Sequence, residues 1–462
     1  MENFWDFNVW GTYHVIAVLL VSLLAANILK KSIKWLQDSL VPISVLGGGI
    51  LIVVAGVYKL ITGDVMFDTA FFGGSGTATL ELLTYHTLAL GFIAATLKSS
   101  GETLNRERTV EIFNTGVTTV ATYLLQAIFG LAISFIAALV IRGFFAAAGI
   151  LLPFGYGQGT GQAMNYGNIF ENDFGFVGGK SFGLTIAALG FLSASIGGVI
   201  HLNLLRKRGL LKPVHRAEGA MRSEEIQSDN EIPMQESIDK LTVQIALIAL
   251  AYLLAHLLMF ALGRLLPGMR SVIYGFNFLL GVLAATLVKA VMNQLKKHGF
   301  IKREYTNNFL LTRASNFFYD IMVVAGIAAI RLGVLEDYWG IILIMGVAGM
   351  LITYFYNHFV ARALFPRYQE EQFLAMFGML TGTASTGIIL LREIDGEFAS
   401  PAADNLVYQN FPAIVFGFPL MLLATLAPAR PILTFIILAI FFLVMNVILF
   451  RSFLFKRKKV SK

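Results

Sequence analysis

Two stretches decide the fold: Phe154-Gly155-Tyr156-Gly157-Gln158-Gly159-Thr160-Gly161 and Phe377-Gly378-Met379-Leu380-Thr381-Gly382-Thr383-Ala384. They share the pattern F-G-x-x-x-G-T-small. Each is flanked by long apolar runs and followed by polar residues and then a full apolar span. A weaker echo pairs Leu90-Gly91-Phe92-Ile93-Ala94-Ala95 with Ala325-Gly326-Ile327-Ala328-Ala329. Glycine-rich breaks in matching places of two similar halves are the mark of transporters built from inverted repeats. Small-residue packing between helices offers a simpler account of either stretch alone.

Outward from these stretches the chain is apolar in blocks. Of its 462 residues, 56% are hydrophobic and 14% are charged, where a soluble domain carries about 25% charged residues. The blocks are about 20 residues long, enough to cross a hydrocarbon core of ~30 Å. Eleven spans are predicted: Tyr13–Leu29, Val41–Ile61, Leu82–Leu97, Ile112–Val140, Phe174–Leu205, Leu241–Leu266, Val272–Met292, Phe309–Leu332, Tyr338–Ala363, Asn405–Ala427 and Ile432–Phe450. Phe144–Phe170 and Phe373–Leu391 are short and rich in Gly and small polar residues. They are read as re-entrant hairpins. The start of the chain lacks the basic segment of a cleavable signal, so the first apolar run is expected to remain as a helix.

The net charge of +7 is placed for membrane orientation rather than for nucleic acid. With the N-terminus outside, about 24 cations fall in inside loops and about 5 outside, the distribution that the positive-inside rule prefers. This topology requires each hairpin to return to the side it entered from. The fold expected is an all-α polytopic membrane protein with two inverted repeats of five spans and one hairpin each, over residues 11–205 and 240–428. A cytoplasmic linker covers 206–239, and an extra helix with a basic tail covers 431–455 and beyond. There are no cysteines, which excludes disulfides and thiolate metal sites.

A break in a helix at membrane depth leaves backbone groups that must be paired or face a wet cavity. Free N–H groups attract anions, and free carbonyls attract cations. Gln158, Thr160, Gln162 and Asn165 in the first break, with Thr381, Thr383, Ser385 and Thr386 in the second, add neutral donors and acceptors. Ionisable residues inside spans are costly and are candidates for function. Asp320, with Asn316 one turn earlier, offers oxygens to Na⁺, and Thr381 joins them as a candidate ligand. Asp320 fits a second role, an ion pair with Arg313. Arg392 fits two roles as well, a bidentate partner for a substrate carboxylate or an interfacial cation. His86 reads as a packed residue. Nothing matches H-E-x-x-H, G-x-S-x-G or a phosphate-binding loop, so no enzyme is expected. A channel would need one continuous polar face instead of two local breaks.

The run Gly155-Tyr-Gly-Gln-Gly-Thr-Gly-Gln-Ala163, the stretch Asn172-Asp-Phe-Gly-Phe176 and Ser195-Ile-Gly-Gly198 resemble the first signature of the bacterial sodium/glutamate symporters. Gly378-Met-Leu-Thr-Gly-Thr-Ala-Ser-Thr386 is similar to the second signature, and Val41-Pro-Ile-Ser-Val-Leu-Gly-Gly48 to the approach to the second helix. The resemblance covers about residues 11 to 428. It implies a homodimer in the bacterial inner membrane, elevator-like movement of the hairpin-bearing core, and Na⁺-driven uptake of glutamate or a related small anionic amino acid. Na⁺ is then the coupling ion, with no organic cofactor. It carries over Gln158, Gly159, Thr160 and Gly161 as contacts of the first hairpin, and Gly382, Thr383, Ala384, Ser385 and Thr386 as contacts of the second. Gln158 stands where the family has His, and Ser385 where it has Pro. Both changes bear on substrate identity. An exchanger, or an H⁺-coupled carrier of another organic anion using Asp320 or His86, is the rival within the same class.

Overall fold

The computed structural model describes residues 3–98, 106–209, 231–233, 238–336, 338–396 and 400–454. Most of the expected linker and the basic tail Lys456–Lys462 lie outside the described residues. Among the described residues the structure is helical, apart from a lone bridge between Glu231 and Glu304. The helices are α1 Phe7–Ser32, α2 Lys34–Asp38, α3 Ile43–Thr62, α4 Gly76–Leu97, α5 Arg106–Val140, α6 Leu151–Phe174, α7 Gly179–Lys207, α8 Lys240–Leu265, α9 Arg270–Gly275, α10 Asn277–Lys297, α11 Asn308–Ala328, α12 Trp339–Leu364, α13 Gln369–Thr381, α14 Ala384–Arg392, α15 Ala402–Tyr408, α16 Asn410–Leu426, α17 Pro431–Leu449 and α18 Arg451–Leu454.

Nine of the described helices are long and apolar enough to cross a membrane. They expose large apolar side chains in helical steps, such as Leu253 and Leu257 on α8, Leu343 and Val347 on α12, and Ile440 and Val444 on α17. Water would not tolerate such faces over so many helices, whereas lipid tails do. The chain is therefore a membrane protein with several spans. Each of the eleven expected spans falls on helix. Asn405–Ala427 is divided into α15 and α16 by a 52° bend. Phe309–Leu332 falls on α11, which carries Arg313, Asn316 and Asp320 and lies outside the nine. Val272–Met292 begins late, at α10, because Asn277 turns the chain: its Oδ1 accepts from Phe278 N at 2.7 Å and its Nδ2 donates to Tyr85 O at 2.8 Å.

The helices gather into two compact units, and neither is one half of the sequence. The first unit holds Met1–Ile28, Ile43–Thr103 and Glu218–Ala329; the second holds Leu29–Pro42, Leu104–Ala217 and Ile330–Lys462. In the first unit, α11 packs on α4 and α3. Ser315 Oγ donates to Gly91 O at 3.0 Å, and Gly48 lies against Ile327 with no room for a Cβ. Its core joins Ile93, Leu97, Ile248, Ala251, Ala285 and Leu311. In the second unit, α5, α7 and α12 surround α6, α13 and α14.

A buried ion pair anchors the start of α8 in the first unit. Lys240 is 1% exposed, and its Nζ donates to Glu231 Oε2 at 2.7 Å. The same carboxylate oxygen accepts from Asn307 Nδ2 at 2.7 Å, while Gln244 Nε2 donates to Tyr305 O. A buried ammonium is tolerable only when it is so paired, and removing one partner strands the other. Glu231→Ala is therefore expected to lower unfolding stability by about 3 kcal/mol. Chemical unfolding of the purified protein in detergent, followed by circular dichroism, measures this. A loss within the range of ordinary surface substitutions would mean that water reaches Lys240.

Candidate functional site

Both glycine-rich stretches interrupt helix where the pattern places the break. In α6, Gly159 has φ 79° and ψ −171° inside an otherwise helical run. Phe154 and Tyr166, twelve positions apart, stack at 3.9 Å, and Phe145 lies 5.5 Å from Phe170. In a straight helix residues twelve apart stand ~18 Å from one another. The chain therefore doubles back at Gly159. The second stretch does the same. Helix α13 stops at Thr381, Gly382 takes φ −152° and ψ −103°, Thr383 is extended, and α14 starts at Ala384. The two arms touch through glycines: a Cβ on Gly378 would stand 2.8 Å from Gly387 Cα.

Helix α7 brings the two breaks together. A Cβ on Gly190 would fall 2.5 Å from Thr381 O and 3.3 Å from Tyr156 Cα, so α7 reaches both only because residue 190 lacks a side chain. Next to it, the Phe191 ring covers Gly382. Tyr156 OH, 2.8 Å from Ser193 Oγ, donates to Gly346 O of α12 at 2.5 Å.

Helix α5 caps both breaks from neighbouring turns. Tyr123 OH donates to Gly157 O at 3.0 Å. Gln126 Nε2 donates to Leu380 O at 2.9 Å and to Thr353 Oγ1 at 2.8 Å. These are carbonyls that helix would have paired had it continued. Around them lies a buried polar stripe of Thr115, Thr118, Thr119, Thr122 and Gln126, facing Thr353 and Asn357 of α12 and Gln372 of α13. Asn357 Nδ2 donates to Thr353 O at 2.9 Å. Three buried amide atoms have no hydrogen-bond partner: the acceptors Gln126 Oε1 and Asn357 Oδ1 of this stripe and, three residues past the break at Gly159, the donor Gln162 Nε2. A buried amide atom without a partner costs about 1–3 kcal/mol. Two acceptors suit a hard cation and one donor suits a carboxylate.

The residues expected from sequence are distributed as follows. Gly159, Thr160 and Gly161 are buried at the first break, and Gln158 is half-buried beside them. Gly382 and Thr386 are buried at the second, and Thr383 Oγ1 lies 3.4 Å from Thr386 Oγ1. Ala384 is exposed, and Ser385 follows it in the first turn of α14. Arg392 is exposed at the end of that helix. Thr381 is buried, with Oγ1 donating to Phe377 O at 2.6 Å and its lone pairs left as acceptors. Asp320 and Asn316 belong to the first unit and Thr381 to the second. Asp320 lies on an exposed face of α11 within hydrogen-bonding reach of Ser44 on α3. Arg313 sits over the Phe309 ring at 5.1 Å. The sequence reading missed Tyr123, Gln126, Thr353 and Asn357. Its signal was available: Thr115, Thr118, Thr122 and Gln126 recur at helical spacing within an apolar span.

The family model described as sodium/glutamate symporter matches residues 7–369, so the first break lies inside the matched region and the second just beyond it. No curated protein matches the chain. With most of its length matched by that model, the chain belongs to the sodium/glutamate symporter family.

Proposed function

We propose that this protein is a Na⁺-coupled symporter of glutamate or a closely related small anionic amino acid. The meeting of the two breaks across Gly190 carries this reading. Each break frees backbone N–H and C=O groups next to the other, in a setting that also holds two unpartnered amide oxygens and one unpartnered amide N–H. Donors of the backbone and Gln162 take the substrate carboxylate. Gln126, Asn357 and the lone pairs of Thr381 take Na⁺, a hard cation that prefers neutral oxygens in a confined site. Gln158 and Ser385, where the family pattern has His and Pro, bear on the choice among acidic substrates.

The same reading makes both doubled-back segments re-entrant, each returning to its side of the bilayer. The ring contacts Phe154–Tyr166 and Phe145–Phe170 support this for the first, and the Gly378–Gly387 approach supports it for the second. Both segments belong to the second compact unit. Elevator transport follows, with that unit carrying substrate while the first unit stays with the membrane, in a homodimer of the bacterial inner membrane. The N-terminus is outside, and the central linker and C-terminus face the cytoplasm, as the cation count favours. Two inverted repeats account for each unit drawing on both halves of the chain.

Purified protein in liposomes is expected to take up L-glutamate down an inward Na⁺ gradient and to stop when K⁺ replaces Na⁺. Na⁺-independent uptake would sink the coupling, and failure with every acidic amino acid would sink the substrate class. Gln126→Ala removes one cation oxygen and the cap on Leu380 O. It is expected to raise the Na⁺ concentration for half-maximal uptake about tenfold or more, since 1.4 kcal/mol of lost binding is one decade. An unchanged Na⁺ dependence would place the cation elsewhere. Gly159 holds a backbone conformation, φ 79° with ψ −171°, that essentially only glycine adopts. Gly159→Ala is expected to cost about 1–3 kcal/mol and to abolish uptake while the protein still assembles in the membrane. Membrane yield and uptake, measured together, decide this.

A further inference from the structure

Away from both breaks, three side chains of metal-ligating type converge at the far end of α13. Glu370 stands in its first turn, eleven positions before Thr381 and so ~16 Å along the helix from the break. His201 lies six residues before the end of α7, and His358 six before the end of α12. One ligand atom of each lies within 4.8 Å of the other two. His201 Nε2 is 2.9 Å from Glu370 Oε2, and its Nδ1 is 2.8 Å from Tyr354 OH. His358 Nδ1 is enclosed by protein and has no hydrogen-bond partner. Phe373 closes one wall, its ring 4.4 Å from that of His201 and 5.2 Å from that of His358. Neither histidine takes part in the proposed transport.

We propose that His201, His358 and Glu370 form a binding site for a borderline transition-metal dication of the Zn²⁺ class. Two imidazoles and a carboxylate select such ions over Ca²⁺ or Mg²⁺, which want oxygen alone. Three protein ligands leave a fourth tetrahedral position for water. Ligand atoms around such an ion stand about 3.3 Å apart. The cluster reaches that spacing by small side-chain movements. The Tyr354 hydroxyl at Nδ1 of His201 holds the ring so that Nε2 faces Glu370 and the ion, the role that hydrogen bonds behind metal-bound histidines commonly play. On binding, the ion takes the place of the hydrogen bond between His201 Nε2 and Glu370; the ring then holds its one proton on Nδ1, donated to Tyr354 OH, and any further proton on the ring leaves to solvent. His358 Nδ1 gains its missing partner. The charges of Arg208 and Arg362 also reach His358. Positive charges so placed would weaken the affinity for a dication. The ion would join α7, α12 and α13 at the end of α13 opposite the break.

The test uses the untagged full-length protein in detergent, titrated with Co²⁺ and then with Zn²⁺. Expected are one Co²⁺ per chain with the strong visible absorption of tetrahedral coordination, its displacement by Zn²⁺, and a rise in melting temperature with Zn²⁺. His358→Ala, at a half-buried position, should abolish all three, as should Glu370→Ala. Tyr354→Phe, a positioning change, should weaken Co²⁺ about tenfold or more while leaving the spectrum tetrahedral. The circular dichroism of each variant confirms that it is folded. Should Glu370→Ala fail that check, His358→Ala and Tyr354→Phe decide alone. No tetrahedral spectrum in the unmodified protein, or one that persists in His358→Ala, would overturn the proposal.

Discussion

A backbone carbonyl that loses its helical partner inside a membrane protein has no water to turn to, and the rest of the second unit is arranged around that constraint. Two breaks in helix create such carbonyls at Gly157 and Leu380. Both are capped by the same helix, through Tyr123 and Gln126 one turn apart. That is why this 35-residue helix carries a tyrosine and a glutamine there. The caps have geometric consequences. Gln126 spends its N–H groups on Leu380 O and Thr353, which turns its oxygen away from both and leaves it without a donor. Stabilising the break and leaving an unpaired acceptor beside it are thus one arrangement.

Glycine is the second requirement, and for a reason separate from backbone freedom. Of Gly159, Gly190 and Gly378, Gly159 is the one with a positive φ. Gly190 and Gly378 are needed because another backbone lies where a Cβ would be. Close backbone approach brings the freed groups of the two breaks within reach of each other, as side chains of any size would not. The same glycine of α7 lies against the backbone at both Thr381 and Tyr156.

The breaks and the apolar spans were legible in the sequence because both are properties of local composition. Gly159 and Gly382 interrupt helix where the paired motif put them, and every expected span fell on helix. The eighth and tenth spans show the limit. Helix α11 has membrane length, yet Arg313, Asn316 and Asp320 reduce its apolarity, and one apolar run from Asn405 to Ala427 is divided by a 52° bend between α15 and α16. The grouping of helices into units was not legible at all, since it depends on contacts between segments hundreds of residues apart. Asp320 stands out in the sequence as a candidate Na⁺ ligand by its charge alone, whereas its place in the first unit, apart from the two breaks in the second, depends on those contacts. The quieter stripe from Thr115 to Gln126 shows its use only with its neighbours in place, which leave the Gln126 amide oxygen, and that of Asn357 facing it, without partners.

Charge explains why a site of this composition would need two ligands. The side chains gathered at the breaks, among them Gln126, Gln162, Thr353, Asn357 and Thr381, are all neutral. They can orient a carboxylate but cannot offset its charge. Taking a lone carboxylate from water into a medium of low dielectric costs on the order of 20 kcal/mol in the ideal limit, and still several after relaxation. Neutral amides return only about 1.5–3 kcal/mol each. A unit loaded with the anion alone would therefore be held at the membrane surface by its uncompensated charge. A Na⁺ seated on the unpartnered amide oxygens removes most of that penalty, and the anion in turn offsets the charge of the ion. Each ligand then makes the other's burial tolerable, which is positive coupling between two sites. A built-in arginine at the breaks would bind the substrate more tightly, but it would supply the positive charge permanently and leave the substrate with no need of the ion. On this reading, the neutrality of the pocket is what ties transport to the Na⁺ gradient.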